Sequence, residues 1–159
     1  MEKIEDLKKA SQLNGHYDDP EELVEASLAL LKDQGFKMTK KRREILEIFA
    51  EEQNYHSAKE IHSTLTKKYP TMSYNTTYRN LYDFVEEGIL ESTEFNQEQL
   101  FRISCQTHDH HHHHFICTQC GMTILLDACP MEDIHTDLSG VQVTSHRFEV
   151  FGLCQSCAV

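Results

Sequence analysis

Cys117-Thr118-Gln119-Cys120 and Cys154-Gln155-Ser156-Cys157 set the strongest chemical constraint in the chain. Each CxxC pair can fill two corners of one tetrahedron through a tight turn, and Gly121 permits a knuckle-like bend after the first pair. Four thiolates satisfy a zinc ion completely and leave no position for substrate, so such a site is structural. It would tie the first strand of a small domain to its last. A redox CxxC is the alternative, and two pairs in one reduced chain favour metal over it.

A second set of donors is Cys105, His108 and the run His110, His111, His112, His113 and His114. On a strand, alternate side chains face opposite sides, so His112 and His114 point one way while His111 and His113 point the other. One run can therefore feed two metal sites. A polyhistidine tag would sit at a terminus, whereas this run leads directly into the first CxxC. A weak metal-scavenging tract is the other bland account. The third set is Ser73-Tyr74-Asn75-Thr76-Thr77-Tyr78-Arg79-Asn80, which opens a helix. Arg can read a guanine edge and Tyr can meet a thymine methyl or a phosphate, as a recognition helix requires. A plain surface helix could carry the same residues.

The elements that must position these groups can be read from caps and periodicity. Pro20, capped by Asp19, starts a helix with Leu23, Ala26, Leu30 and Leu31 on its apolar face, stopped at Gly35. Thr39 caps a second helix carrying Ile45, Ile48 and Phe49. A capping box, Ser57 with Glu60, opens a third that buries Ile61 and Leu65, and Pro70 closes that unit. Ser73 caps a fourth, with Tyr78, Leu81, Tyr82 and Val85 at helical spacing up to Gly88. The period then changes to a β-hairpin: Ile89 to Phe95, a turn at Asn96-Gln97-Glu98, and Leu100 to Ile103. Helices followed by a two-stranded wing make a winged helix-turn-helix. Beyond Cys105 follow strands at Phe115-Ile116 and Met122 to Leu126, a helix from Pro130 to Leu138, and a strand from Val141 to Phe151. The fold class is α+β. It comprises a lead segment over 1–21, a winged-helix DNA-binding domain over 22–104 and a small α/β metal-binding dimerisation domain over 105–159.

Charge and composition limit the function. Hydrophobic residues make up 39% and charged residues 26%, with 6 Gly and 3 Pro, which excludes collagen-like and wholly disordered chains. No apolar run reaches the roughly 20 residues of a membrane span, and the first twenty residues lack the hydrophobic centre of a signal peptide. The expectation is a cytoplasmic protein with no membrane partner. Net charge is -11, yet the stretch from Lys37 to Tyr82 holds nine basic and five acidic residues and is locally positive. Only charge within about a Debye length, roughly 8–10 Å, of a phosphate acts on it at full strength. A basic segment in an acidic chain therefore fits a local phosphate-binding face, and equally a solvated helix face.

Several motifs in order resemble the Fur family of metal-responsive bacterial repressors: Met38-Thr39-x-x-Arg42, Ala58-x-x-Ile61, Pro70-x-Met72-Ser73-x-x-Thr76-Thr77-Tyr78-Arg79, the wing, the histidine run, CTQCG and the terminal CxxC. The resemblance covers about residues 22–159. Within the family, the run before Phe115-Ile116-Cys117, Cys129-Pro130-Met131 and above all Cys105 look closest to the zinc uptake regulator branch, Zur. The resemblance implies a structural zinc on Cys117, Cys120, Cys154 and Cys157 and a sensory zinc on Glu91, Cys105, His112 and His114. It also implies a further site on His111, His113, Glu132 and His146. Leu125 stands where the iron-regulator branch has a carboxylate ligand. The DNA-contacting residues would be Arg42, Tyr74, Asn75, Thr76, Tyr78 and Arg79. The implied function is a zinc-loaded homodimer that represses zinc uptake genes from a palindromic operator of double-stranded DNA, with no small-molecule substrate and no catalysis. The rivals are an iron or peroxide sensor of the same fold, a zinc buffer, and a hydrolytic zinc enzyme.

Overall fold

The computed structural model describes residues 17–104, 113–126, 129–133 and 137–159, and of Glu132 the backbone alone. The chain divides into two compact units, one up to Asp109 and one from His110.

In the first unit, helix α1 (Pro20–Asp33) starts where the Asp19 carboxylate accepts from the Glu21 N–H at 3.1 Å. Its inward residues are Leu23, Val24, Ser27 and Leu31. Ala26 and Leu30, expected inside, are only partly buried. Ser27 takes an inner place because its hydroxyl donates to the Leu23 carbonyl at 2.8 Å, so no polar group is stranded. Helix α2 (Lys40–Glu51) is capped by Thr39 and buries Ile45, Leu46, Phe49 and Ala50. Helix α3 (Ala58–Thr66) carries the full Ser57–Glu60 capping box and buries Ile61 and Leu65. Helix α4 (Tyr74–Glu86) is capped by Ser73 and buries Thr77, Leu81 and Phe84. Tyr82, expected on this face, is 48% exposed. The buried stripe is offset by one residue because Phe84 supplies the apolar bulk.

Gly88, at φ 72°, ends α4 in the left-handed region, and the Ile89 N–H donates back to the Phe84 carbonyl at 2.9 Å. That reversal feeds the wing. Strands β2 (Leu90–Phe95) and β3 (Glu98–Ile103) pair antiparallel from Leu90↔Ile103 to Phe95↔Glu98. The turn is therefore Asn96-Gln97, both at positive φ (50° and 64°), the primed conformation that a two-residue hairpin needs. Glu98, assigned to the turn from sequence, is the first residue of β3. A strand too short to show periodicity, β1 (His56–Ser57), pairs with β3 through His56↔Phe101, giving the order β1-β3-β2. Leu31, Ile45, Phe49, Ile61, Leu81, Phe84, Ile89 and Phe101 form the centre of one continuous core.

In the second unit, β4 (His113–Cys117) lies between β5 (Thr123–Leu126), antiparallel, and β6 (Glu149–Gly152), parallel. Two expectations change here. Of the helix expected from Pro130 to Leu138, the described residues show a 3-10 turn at Pro130–Asp133, with Asp137 and Leu138 outside any helix, while residues 134–136 lie outside the described residues. The strand expected from Val141 pairs only from Glu149, which aligns with His114. Among the described residues no strand lies beside 141–148, and Val141 and Val143 are exposed. No described helix is long and apolar enough to cross a membrane.

Candidate metal centres and nucleic-acid face

The four cysteines of the CxxC pairs converge, with all sulfurs within 4.8 Å of one another. Cys120 Sγ and Cys154 Sγ are 3.8 Å apart. A tetrahedron with zinc–sulfur bonds of about 2.3 Å has edges of roughly 3.8 Å, so the donor set fits zinc. Both turns are of the knuckle type: Gly121 N–H donates to the Cys117 carbonyl at 2.9 Å, and Cys157 N–H to the Cys154 carbonyl at 3.0 Å. Gly121 adopts φ 73° to make the first turn. The Cys154 N–H also donates to Cys117 Sγ at 3.3 Å and draws that thiol down to about 6. The Cys157 thiol is pushed up to about 12, chiefly by the Cys154 side chain beside it. Four neighbouring sulfurs cannot all ionise without a cation among them, and zinc supplies that charge.

A second convergence involves His113 from β4, Cys129 just before the 3-10 turn, and His146 ahead of β6. Cys129 Sγ lies 3.3 Å from His146 Nε2, which lies 3.2 Å from His113 Nε2. His113 is buried, with the Phe148 ring edge-on at 5.6 Å. Sequence reasoning placed His113 and His146 in one site and missed Cys129 as its neighbour. The available signal was that Cys129 is the one cysteine belonging to neither a CxxC pair nor the Cys105 set. His111 lies outside the described residues, as does the side chain of Glu132.

Of the expected sensory set, Cys105 and His112 lie outside the described residues, as do His108 and His110. Glu91 is on β2 in the first unit, where its Oε1 accepts from the Tyr55 hydroxyl at 3.1 Å and faces Arg102 Nη1 at 3.4 Å. His114 is buried on β4 in the second unit, directly across from Leu125.

On α4, Tyr74, Asn75, Arg79 and Tyr82 are exposed while Thr77, Leu81 and Phe84 face the core. Tyr74, Tyr78 and Tyr82 form a ladder with ring centroids 6.3 and 5.7 Å apart. Tyr78 leans towards the wing, its hydroxyl donating to Gln99 Oε1 at 3.0 Å. The Thr76 hydroxyl is held against that of Ser73 at 2.9 Å. Arg42 is spent inside the unit: Nε donates to Asn80 at 3.0 Å, Nη2 pairs with Asp83 at 3.0 Å, and the guanidinium lies over Phe36. It fastens α4 to the start of α2 and does not point outward as expected. Of the nine basic residues in the positive stretch, Lys59, Lys68, Arg42 and Arg43 are in ion pairs. Lys37, Lys40, Lys41, Lys67 and Arg79 make none among the described residues, and so carry the free positive charge of this stretch.

The model of the ferric uptake regulator family matches residues 33–151. The ferric uptake regulation protein of Staphylococcus epidermidis is 48% identical over 131 residues, 82% of this chain and 94% of that protein. The structure of the Vibrio cholerae ferric uptake regulator is 30% identical over 79% of this chain and 98% of that one, with a TM-score of 0.60. The Helicobacter pylori ferric uptake regulator superposes with a TM-score of 0.67 over 91% of this chain and 97% of that one; at 22% identity it bears on the fold alone.

Proposed function

The chain belongs to the ferric uptake regulator family, and from that premise we propose that it represses transcription as a metal-loaded homodimer on a two-fold symmetric operator. It is a metal-responsive transcriptional regulator and not an enzyme. The observation that carries the operator reading is the division of α4. Its core side holds Thr77, Leu81 and Phe84, and its outer side offers Tyr74, Asn75, Arg79 and Tyr82. An exposed Arg can read guanine bidentately, while Tyr and Asn make phosphate, methyl or adenine contacts. Arg42 then acts as a positioning residue that holds the helix. The exposed Val141, Val143, Phe148 and Leu153 of the second unit support a dimer, since a second copy would cover them. The operator places the protein in the cytoplasm.

A metal held by Glu91, Cys105, His112 and His114 would recruit donors from both units and so favour one spacing of the two recognition helices. Two readings of that ion stand on different observations. Zinc rests on ligand chemistry: Cys105 offers a soft thiolate, and Leu125 supplies no oxygen donor opposite His114. Ferrous iron rests on likeness to relatives named for ferric uptake regulation, extending over 131 residues. A likeness over 82% of the chain outweighs one thiolate and one leucine, so iron(II) is the ion we infer, with zinc its rival.

Selection of binding sequences from random duplex DNA tests both levels. The full-length protein is used with anaerobic iron(II), with zinc, and with a chelator too weak to strip the four-cysteine site. Enrichment of an inverted repeat with metal and none with chelator is expected. Failure to enrich any sequence with either ion overturns the regulator reading. Half-saturation at lower free zinc than free iron, each scaled to its cellular level, overturns the iron reading in favour of zinc.

A further inference from the structure

We propose that Cys129 is a metal ligand, and that His113, Cys129 and His146 form a thiolate-bearing zinc site inside the second unit, apart from the four-cysteine centre. Three observations carry this. First, the donors come from three separate stretches of chain yet place their ligating atoms within 4.8 Å of one another. Second, His146 Nε2 is the near neighbour of both Cys129 Sγ, at 3.3 Å, and His113 Nε2, at 3.2 Å. One imidazole nitrogen has a single in-plane direction, carrying either one proton or one lone pair, so it cannot make two linear hydrogen bonds at once. A cation at the common focus satisfies all three atoms along their own directions. Third, the separations match the ion. With zinc–nitrogen bonds of about 2.05 Å and zinc–sulfur bonds of about 2.3 Å, tetrahedral edges are roughly 3.3 Å for N–N and 3.6 Å for N–S.

The donor set also defines what the site takes. Two imidazoles and a thiolate suit zinc or cobalt(II) and exclude magnesium and calcium, which want oxygen. His113 is buried and flanked by Phe148, whereas Cys129 and His146 are half-buried, so the site is shielded but reachable. Family resemblance led to an expectation of Glu132 and His111 here; the sulfur makes the site softer than that expectation.

The cysteine inventory makes the test direct. The chain has 6 cysteines, and four belong to the CxxC pairs. Once Cys105→Ser is introduced, Cys129 is the only thiolate outside the four-cysteine centre. Full-length Cys105→Ser protein, holding one zinc per chain, is titrated with cobalt(II) and followed from the near ultraviolet to the visible. We expect a thiolate-to-cobalt charge-transfer band and the intense visible bands of a four-coordinate ion. Adding Cys129→Ser should remove the charge-transfer band and weaken cobalt binding by more than the roughly 10–100-fold that loss of an outer-shell partner costs. Cys129→Asp should retain visible bands without charge transfer. The inference is overturned if the Cys105→Ser protein shows no charge transfer, or if that band persists in Cys105→Ser/Cys129→Ser with zinc still at one per chain. The parent spectrum decides even if a Cys129 variant fails to fold. No DNA enters the measurement, so failure of the operator reading leaves it intact.

Discussion

The two units oppose the entropy of the chain by different means. In the first, Leu31, Ile45, Phe49, Leu81, Phe84, Ile89 and Phe101 are sealed from solvent. Each such side chain contributes about 1.5–3 kcal/mol of apolar burial. In the second, the buried described residues are Ile116, Cys117, Cys154, His113 and His114, of which one is a plain hydrocarbon. Several of its described large apolar groups, among them Ile124, Leu125, Val141 and Val143, are exposed. A domain of this size with that little core needs a staple, and its buried positions are filled by metal-ligating types. Stability in the first unit is thus independent of the ion supply, and in the second it is tied to it. A metal-responsive regulator can in this way keep its DNA-reading face folded whatever the metal supply.

The sharpest way to break this comparison is to remove one staple. Binding free energy of a structural zinc, roughly 10–16 kcal/mol in small domains, is folding free energy. Cys154→Ser should therefore lose the tightly held zinc, unfold the second unit and dissociate the dimer. The helical circular dichroism of the first unit should survive. Zinc analysis, sedimentation and spectra on one sample check this, and a variant that stays dimeric and zinc-loaded refutes the four-cysteine assignment. The converse is Leu81→Ala, at a fully buried position of α4. It should cost the first unit about 2–5 kcal/mol in urea unfolding and leave zinc content unchanged. Loss of zinc in that variant would show that the units are not energetically separate.

The same contrast explains what could be read from sequence. Helix caps are local, so Asp19, Thr39, Ser57 and Ser73 marked the four starts correctly. Which face is inward is not local, and there Tyr82 and Phe84 exchanged places. The pairing of His56 with Phe101 could not be seen either, because two residues carry no period. In the second unit the CxxC spacing foretold the convergence of four sulfurs, since that geometry needs only two short turns. The long Val141–Phe151 strand was misjudged because, with few core contacts, residues 141–148 have little to bury against. Cys129 was overlooked for a related reason: its partners His113 and His146 are far away in sequence, and only the fold brings them together.

A smaller effect sharpens the division of labour within the first unit itself. Arg79 is exposed on α4, whereas Arg42 is tied to Asn80 and Asp83. Arg79→Ala should therefore cost about 1–3 kcal/mol of operator affinity and relax one base position, with the melting temperature unchanged. Arg42→Ala should lower the melting temperature and weaken binding evenly across sequences. Equal operator affinity for Arg79→Ala and wild type would remove α4 from the base-reading role.

The smallest expected effect is electrostatic, and it too belongs to the first unit alone. Glu44 on α2 accepts from Lys68 and from the Tyr69 hydroxyl, the latter at 3.0 Å. Above all, the hydrogen bond from the Lys68 ammonium holds the Glu44 carboxyl below its ordinary value of 4.5. A carboxyl depressed on folding contributes stability that is complete above the unfolded value and is lost as pH falls through the folded one. The Lys68 ammonium, raised by the same Glu44, contributes below 10.5 and loses its share as pH rises beyond that. The pair therefore acts at full strength across the neutral range and fades at both ends. Both partners reach solvent, so the gain is screened and should fall further as salt rises. Glu44→Gln should bring a slightly lower stability at pH 7 and a smaller loss between pH 5 and 3 than wild type shows. Acid also releases zinc from cysteines, but that loss belongs to the second unit and is common to both proteins. Urea titrations followed by helical circular dichroism at several pH values isolate the difference. Wild-type and Glu44→Gln curves that stay parallel down to pH 3 would show that the pair adds nothing, leaving the apolar core and its caps to hold this unit alone.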